Sequence, residues 1–218
     1  MTDLPRLFSL ARAPVLDAVV VNRGLARTLA PDAPAGLVLQ AFGRPAAMGE
    51  SSAKVPTCRV EDAIRLGADA VSVQLDLGSP ALSHAVHAVS LMISDAAAYD
   101  IPVLIMVTPE HGGEAWRAIA DALRVCVELG ADLIKIALPA ELLDSDPDRL
   151  AALRTAIAGS PPVLLAGGPH GDALLERLAL ARALGFRGAC VGRSIFQDPE
   201  PEAVLASLAA ALDAGPKR

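Results

Sequence analysis

The sequence predicts an α/β fold: a parallel TIM-type (β/α) barrel of about seven strands, missing its first βα unit. Three observations carry this prediction. Seven short apolar runs recur along the 218 residues: Asp17–Asn22, Leu37–Phe42, Ala70–Leu77, Pro102–Thr108, Asp132–Leu138, Pro162–Gly167 and Ala189–Gly192. Most lie about 30 residues apart, the length of one strand-plus-helix unit, and their Val/Leu/Ile content suits strands covered on both faces. A joint repeats: Arg65-Leu66-Gly67-Ala68-Asp69-Ala70-Val71 returns as Glu128-Leu129-Gly130-Ala131-Asp132-Leu133-Ile134, and more loosely as Leu184-Gly185-Phe186-Arg187-Gly188-Ala189-Cys190. Finally, no glycine-rich fingerprint follows the first run, which disfavours an open dinucleotide-binding sheet.

Taken in order, the segments between the runs read as covering helices. Glu61–Leu66, Glu114–Leu129, Pro147–Ala158 and Ala173–Leu184 are amphipathic, and Glu202–Asp213 supplies a last helix. At each copy of the joint a helix ends on a glycine able to take the left-handed cap, and a strand follows almost at once. A full eight-unit barrel takes about 250 residues, so this length suits seven units in one domain spanning residues 1–218.

Composition narrows the function classes. The formal net charge is −6, aromatics are 3% and the basic residues are scattered, so nothing offers a groove or stacking platform for nucleic acid. No run reaches the roughly 18 apolar residues of a membrane span. The opening Met1-Thr2-Asp3-Leu4-Pro5-Arg6 lacks the basic flank and apolar block of a signal peptide. Cys58, Cys126 and Cys190 are too far apart for a disulfide framework or a metal motif, so free thiols in a reducing compartment are expected. The expectation is a cytoplasmic protein with no membrane or nucleic-acid partner, no metal and no cofactor.

Chemistry shows in the alternation within the strands. In Val71-Ser72-Val73-Gln74-Leu75-Asp76-Leu77 the apolar positions should meet the helices, leaving Ser72, Gln74 and Asp76 facing the lumen. In Leu133-Ile134-Lys135-Ile136-Ala137-Leu138 the bulky residues share one face and Lys135 lies on the other. By the same rule Asn22, Gln40 and Thr108 point inward near strand ends, where a barrel keeps its active site. Burial disfavours an ammonium, and a neutral amine can attack a carbonyl to form a Schiff base. Lys135 therefore suits a nucleophile, although a structural lysine paired with Asp76 fits the same pattern. Asp76 suits an acid/base partner or an ordinary salt-bridge carboxylate, and Thr108 a hydrogen-bond donor that orients substrate.

The second signal is a pair of glycine-bearing strand ends, Leu165-Ala166-Gly167-Gly168-Pro169-His170 and Val191-Gly192-Arg193-Ser194. Glycines let backbone amides approach an anion, Arg193 adds a fork of donors, and a phosphate site after the last two strands is common in this barrel. His170 follows the first loop and is placed to assist. His84 and His87, three apart on a helix, lack a third metal ligand and read as a solvated face. His111 falls in a loop over the mouth.

Asp132-Leu133-Ile134-Lys135, Leu165-Ala166-Gly167-Gly168-Pro169 and Val191-Gly192-Arg193-Ser194-Ile195-Phe196-Gln197 resemble the class I aldolase family that includes archaeal-type fructose-bisphosphate aldolase and autoinducer-2 phosphate thiolase. Asn22-Arg23-Gly24-Leu25, Leu77-Gly78-Ser79 and Val107-Thr108 resemble the thiolase branch. The resemblance implies that Lys135 is the Schiff-base lysine and that Gly167, Gly168, Gly192 and Arg193 hold a substrate phosphate; Asn22, Gln40 and His170 are further candidate contacts from their places at the strand ends alone. It implies C–C bond cleavage or formation on a small phosphorylated keto or aldehyde compound. Acyl transfer to coenzyme A and non-catalytic sugar-phosphate binding, alone or as a partner subunit, are the alternatives. The family's opening strand with its Asp-His-Gly motif has no counterpart here, Thr108-Pro109-Glu110-His111 stands where aldolases carry Tyr-Pro-Arg-Gly, and His170 replaces the usual lysine. A barrel without its first strand leaves two bare edges, so a homo-oligomer is expected.

Overall fold

A computed structural model describes residues 4–29, 35–44, 54–110, 114–168 and 174–213. Seven parallel strands form a curled half-barrel: β1 (Ala18–Asn22), β2 (Gly36–Gln40), β5 (Ala70–Asp76), β6 (Val103–Thr108), β7 (Leu133–Ile136), β8 (Val163–Ala166) and β9 (Gly188–Cys190). They pair in chain order, so the sheet winds one way and never reverses as a doubly wound sheet does. Two further short strands, β3 (Phe42–Gly43) and β4 (Val55–Pro56), make a separate antiparallel pair between β2 and β5. The helices are α1 (Leu4–Ala11), α2 (Arg23–Leu29), α3 (Val60–Arg65), α4 (Leu82–Ala97), α5 (Ala115–Leu129), α6 (Pro147–Ala158), α7 (Leu174–Leu184), α8 (Arg193–Phe196) and α9 (Pro201–Asp213), with a 3₁₀ turn at Ala140–Asp144.

The repeated joint is a Schellman cap. Gly67, Gly130 and Gly185 all take positive φ (67°, 86° and 103°). After each, the next amide donates back five residues, from Ala68 to Ala63, Ala131 to Cys126 and Phe186 to Ala181, at 2.9–3.0 Å. Helix α4 ends the same way without a glycine: Asp100 takes φ 54° and Ile101 N–H donates to the Ala96 carbonyl at 3.1 Å. The aspartates of the joint strap adjacent strands together. Asp69 N–H donates to the Leu37 carbonyl at 2.8 Å while its carboxylate accepts from Leu37 N–H at 2.7 Å. Asp132 repeats this with Val103, at 3.1 and 2.8 Å.

With the strands so registered, Val71, Val73 and Leu75 of β5, Val103, Ile105 and Val107 of β6, and Ile134 and Ile136 of β7 face outward into one core shared with Ile119, Leu123, Cys126, Leu153 and Leu178 of the helices. The expected inward and outward faces of these strands are therefore the observed ones. Most boundaries shift by a residue or two, the run Ala189–Gly192 for example being Gly188–Cys190, and two of the shifts bear on the mouth. The run Leu37–Phe42 breaks after Gln40, because Gln40 Nε2 donates to the Phe42 carbonyl at 2.9 Å and Ala41 carries the hairpin through Thr57 N–H at 2.8 Å. The run Asp132–Leu138 leaves the sheet after Ile136, although Leu138 stays fully buried.

Strands β1 and β9 are the two edges of the sheet. Helix α1, just ahead of β1, buries Leu10 and Ala11 and packs Phe8 on the core. Its Arg6 guanidinium donates to the carbonyls of Asp198 and Pro199, at 3.1 and 2.7 Å, in the segment that follows β9 and α8. The first helix thus clasps the far end of the sheet. Among the described residues no helix is long and apolar enough to cross a membrane.

The strap makes a stability prediction. Asp132→Ala leaves the amide of fully buried Val103 without its carboxylate partner and should cost about 1–3 kcal/mol in urea unfolding. An unchanged midpoint would show the carboxylate to be dispensable.

Candidate active site

The register of the lumen face assembles the predicted polar residues into rows. Gln74, Met106, Lys135, Leu164 and Gly188 are successive partners across β5 to β9. One step towards the strand ends, Asp76 sits opposite Thr108. One step deeper on β5, Ser72 pairs with Gln40, which pairs with Asn22. Lys135 is half-buried, between the apolar side chains of Met106 and Leu164 in register. Asp76 is exposed, and its Oδ1 accepts from Gly78 N–H at 3.2 Å as the chain turns out of β5. Gln40 commits its amide to the hairpin, as described above. Asn22 is exposed at the edge of the sheet, farthest in strand order from the glycine loops.

The two glycine-bearing ends do meet, and for a packing reason. A Cβ at Gly167 would lie 2.6 Å from Val191 Cγ1, so only glycine lets the end of β8 close against the chain leaving β9. Gly168 has φ 77°, and a Cβ there would lie 2.9 Å from Arg177 Nη1. Gly192 is different: a Cβ there would meet only the Phe196 ring, at 3.9 Å, which leaves room beside it. Arg193 opens the single turn α8 and is exposed. His170 and His111 lie outside the described residues. His84 and His87 are exposed on α4, and no group of three metal-ligating side chains is found among the described residues.

Two basic residues at the site escaped the sequence reading. Arg177, in the middle of α7, is 5% exposed and donates from Nη2 to the Gly167 carbonyl at 2.8 Å. Ser194 Oγ donates to the Gly168 carbonyl at 3.4 Å, so the carbonyls of Gly167 and Gly168 are held by side chains from α7 and α8. An arginine on a helix reads as surface, and only the meeting of α7 with the end of β8 reveals this one. Lys54 precedes β4 and is half-buried. Burial, then the positive charge of Arg44, holds its ammonium below the ordinary lysine value; Lys135 and Arg193 add to this and Asp76 opposes it. Lys54 therefore shares one electrostatic neighbourhood with the ends of β5 and β7 and with Arg193.

This arrangement supplies an amine on an inner strand face, a carboxylate and a hydroxyl at the rim, and a basic, glycine-lined corner between the last two strands. Residues 1–198 match the family model described as DeoC/LacD family aldolase. The chain is 32% identical over 209 residues to 2-amino-3,7-dideoxy-D-threo-hept-6-ulosonate synthase of Halobacterium salinarum, covering 92% of this chain and 76% of that one. It is 30% identical over 202 residues to the class 1 fructose-bisphosphate aldolase of Thermoproteus tenax, covering 89% and 74%. It is 29% identical over 202 residues to 3-hydroxy-5-phosphonooxypentane-2,4-dione thiolase of Yersinia enterocolitica, covering 90% and 66%. Among solved structures, an archaeal fructose 1,6-bisphosphate aldolase superposes with a TM-score of 0.83 at 28% identity, over 98% of this chain and 84% of that one. A Schiff-base-forming fructose-1,6-bisphosphate aldolase, studied through its reaction intermediates, matches at 0.82 and 28% identity over 96% and 84%. Fold and sequence agree, and the chain belongs to the DeoC/LacD family of aldolase-type enzymes.

Proposed function

We propose that this chain is a Schiff-base aldolase that cleaves or forms a C–C bond in a small phosphorylated keto or aldehyde compound, with residues 1–218 acting as one barrel domain. The observation that carries the reading is the position of Lys135, half-buried on the inner face of β7 with Met106 and Leu164 beside it in register. Its Nζ attacks the substrate carbonyl, and the resulting carbinolamine loses water to give an iminium ion. The electron pair of the breaking C–C bond flows into that iminium, leaving an enamine and releasing an aldehyde; protonation of the enamine and hydrolysis return the free amine. Asp76 acts as the acid/base group and Thr108 orients the substrate by hydrogen bonding, the two being register partners at the rim. Gly167, Gly168, Gly192 and Arg193 hold the phosphate, and His170, Gln40 and Asn22 complete the binding set.

The outer edges of β1 and β9, which pair with no other strand among the described residues, favour a homo-oligomer, since unpaired edges invite pairing. The three free cysteines suit a cytoplasmic enzyme. No metal or organic cofactor is required by the chemistry proposed.

Borohydride reduction in the presence of dihydroxyacetone phosphate and a panel of phosphorylated ketones and aldehydes should add the mass of one reduced donor to the wild type and none to Lys135→Ala. Absence of any adduct, with phosphate-ligand binding intact by calorimetry, would replace the catalytic reading by a binding one. Gly168→Ala imposes a left-handed φ on a residue with a Cβ and crowds Arg177, so affinity for dihydroxyacetone phosphate should fall about tenfold or more. Equal affinity would move the phosphate elsewhere. Sedimentation velocity should show an assembly larger than one chain, and a monodisperse monomer would remove the oligomer from the proposal.

A further inference from the structure

The loop after β8 contains one peptide group whose direction its own residues do not fix. It lies between Gly167 and Gly168 and is trans. In a trans peptide the carbonyl and the N–H point opposite ways, so the Gly167 carbonyl and the Gly168 N–H turn as one rigid unit. Turning that unit over changes only ψ of Gly167 and φ of Gly168. The latter would leave its observed 77° for negative values, which glycine adopts as readily. The next peptide offers no donor in exchange. Its carbonyl, that of Gly168, accepts from Ser194 Oγ at 3.4 Å, and its nitrogen belongs to Pro169, which carries no N–H.

Arg177 holds the unit one way up. Its Nη2 donates to the Gly167 carbonyl at 2.8 Å, a bond that is buried and charge-assisted. Its Nη1, Nη2 and Cζ stand 2.9, 3.1 and 3.4 Å from where a Cβ of Gly168 would lie, so the guanidinium is pressed against the same peptide. With the carbonyl turned to α7, the Gly168 N–H faces away from it. The reverse setting would present a carbonyl oxygen, the negative end of the peptide dipole, in place of that N–H. We infer that Arg177 is a positioning residue for the substrate phosphate: it latches the Gly167–Gly168 peptide with its N–H towards the ligand, and thereby sets the loop to bind anions. The inference rests on the proposed phosphate site in the glycine loops. It adds that the polarity of that site is set from beneath, by a helix side chain acting through the backbone.

Two equilibrium readouts on the full chain test this. The first is the amide proton of Gly168 in a glycine-labelled ¹⁵N spectrum, identified by its loss in Gly168→Ala and followed as inorganic phosphate is added. The second is calorimetry with dihydroxyacetone phosphate. In the wild type phosphate should shift the Gly168 amide proton downfield. Arg177→Met and Arg177→Gln should cancel that shift and weaken dihydroxyacetone phosphate about tenfold or more. Arg177→Lys keeps a charged donor and should return both readouts, with the affinity within about threefold of wild type. Leu178→Ala, the next residue of α7 and part of the core, serves as the control. It should lower the urea midpoint while keeping the shift, with affinity again within about threefold. A full shift with wild-type affinity in either neutral variant would overturn the inference and leave the phosphate site standing. So would an equal loss in Leu178→Ala, which would reduce Arg177 to a packing role. A wild-type Gly168 amide that phosphate does not move would remove the phosphate site and the inference together.

Discussion

The inner face of this half-barrel depends on how helices α3, α5 and α7 hand the chain back to the sheet. A left-handed residue ends the helix, the following amides close onto its last turn, and a carboxylate or backbone amide then locks onto the start of the neighbouring strand. Gly67 with Asp69, Gly130 with Asp132, and Gly185 with Arg187 N–H on the Val163 carbonyl at 2.8 Å are three settings of one device. The side-chain period of a strand is two, so a slip of one residue would turn Lys135 into the apolar core and Ile134 into the lumen. The register that the joint imposes is therefore what keeps Lys135 on the inner face.

At the other end of the strands the constraint is crowding. Gly167 is glycine because β8 and the chain after β9 approach too closely for a Cβ, and the same closeness lets Arg177 reach the Gly167 carbonyl from α7. The loop is shaped by a buried guanidinium and a serine hydroxyl, with Gly192 left open beside it. Stiffness of this kind suits anion binding, since donors fixed in advance need little reordering when the ligand arrives.

Much of the fold is legible in the sequence because burial on both faces writes itself as short Val/Ile/Leu runs, and the joint writes itself as Leu-Gly-Ala-Asp. The inward placement of Gln74, Asp76, Thr108 and Lys135 follows from alternation alone, since sheet geometry leaves a strand residue only two directions. Other features have no local signature. Strands β3 and β4 are two residues each and held by Ala41 and Gln40, too short for any periodicity. Helix α4 ends on Asp100, where an aspartate does what glycine does elsewhere. Lys54 and Arg177 matter through neighbours far along the chain, and each looks like an ordinary solvated cation in its own segment. Gln40 reads correctly as an inward polar residue, but its amide is occupied in starting the hairpin.

The clasp between Arg6 and the carbonyls of Asp198 and Pro199 joins positions 192 and 193 residues apart. Contacts of that separation carry a loop-closure cost and slow folding. In synthesis α1 is made before every strand of the sheet and its partners at 198 and 199 after all of them, so the clasp closes only once all seven strands exist. A short helix ahead of β1 thus ties its own docking to the completion of the sheet, because what it grips is the segment laid down after the last strand.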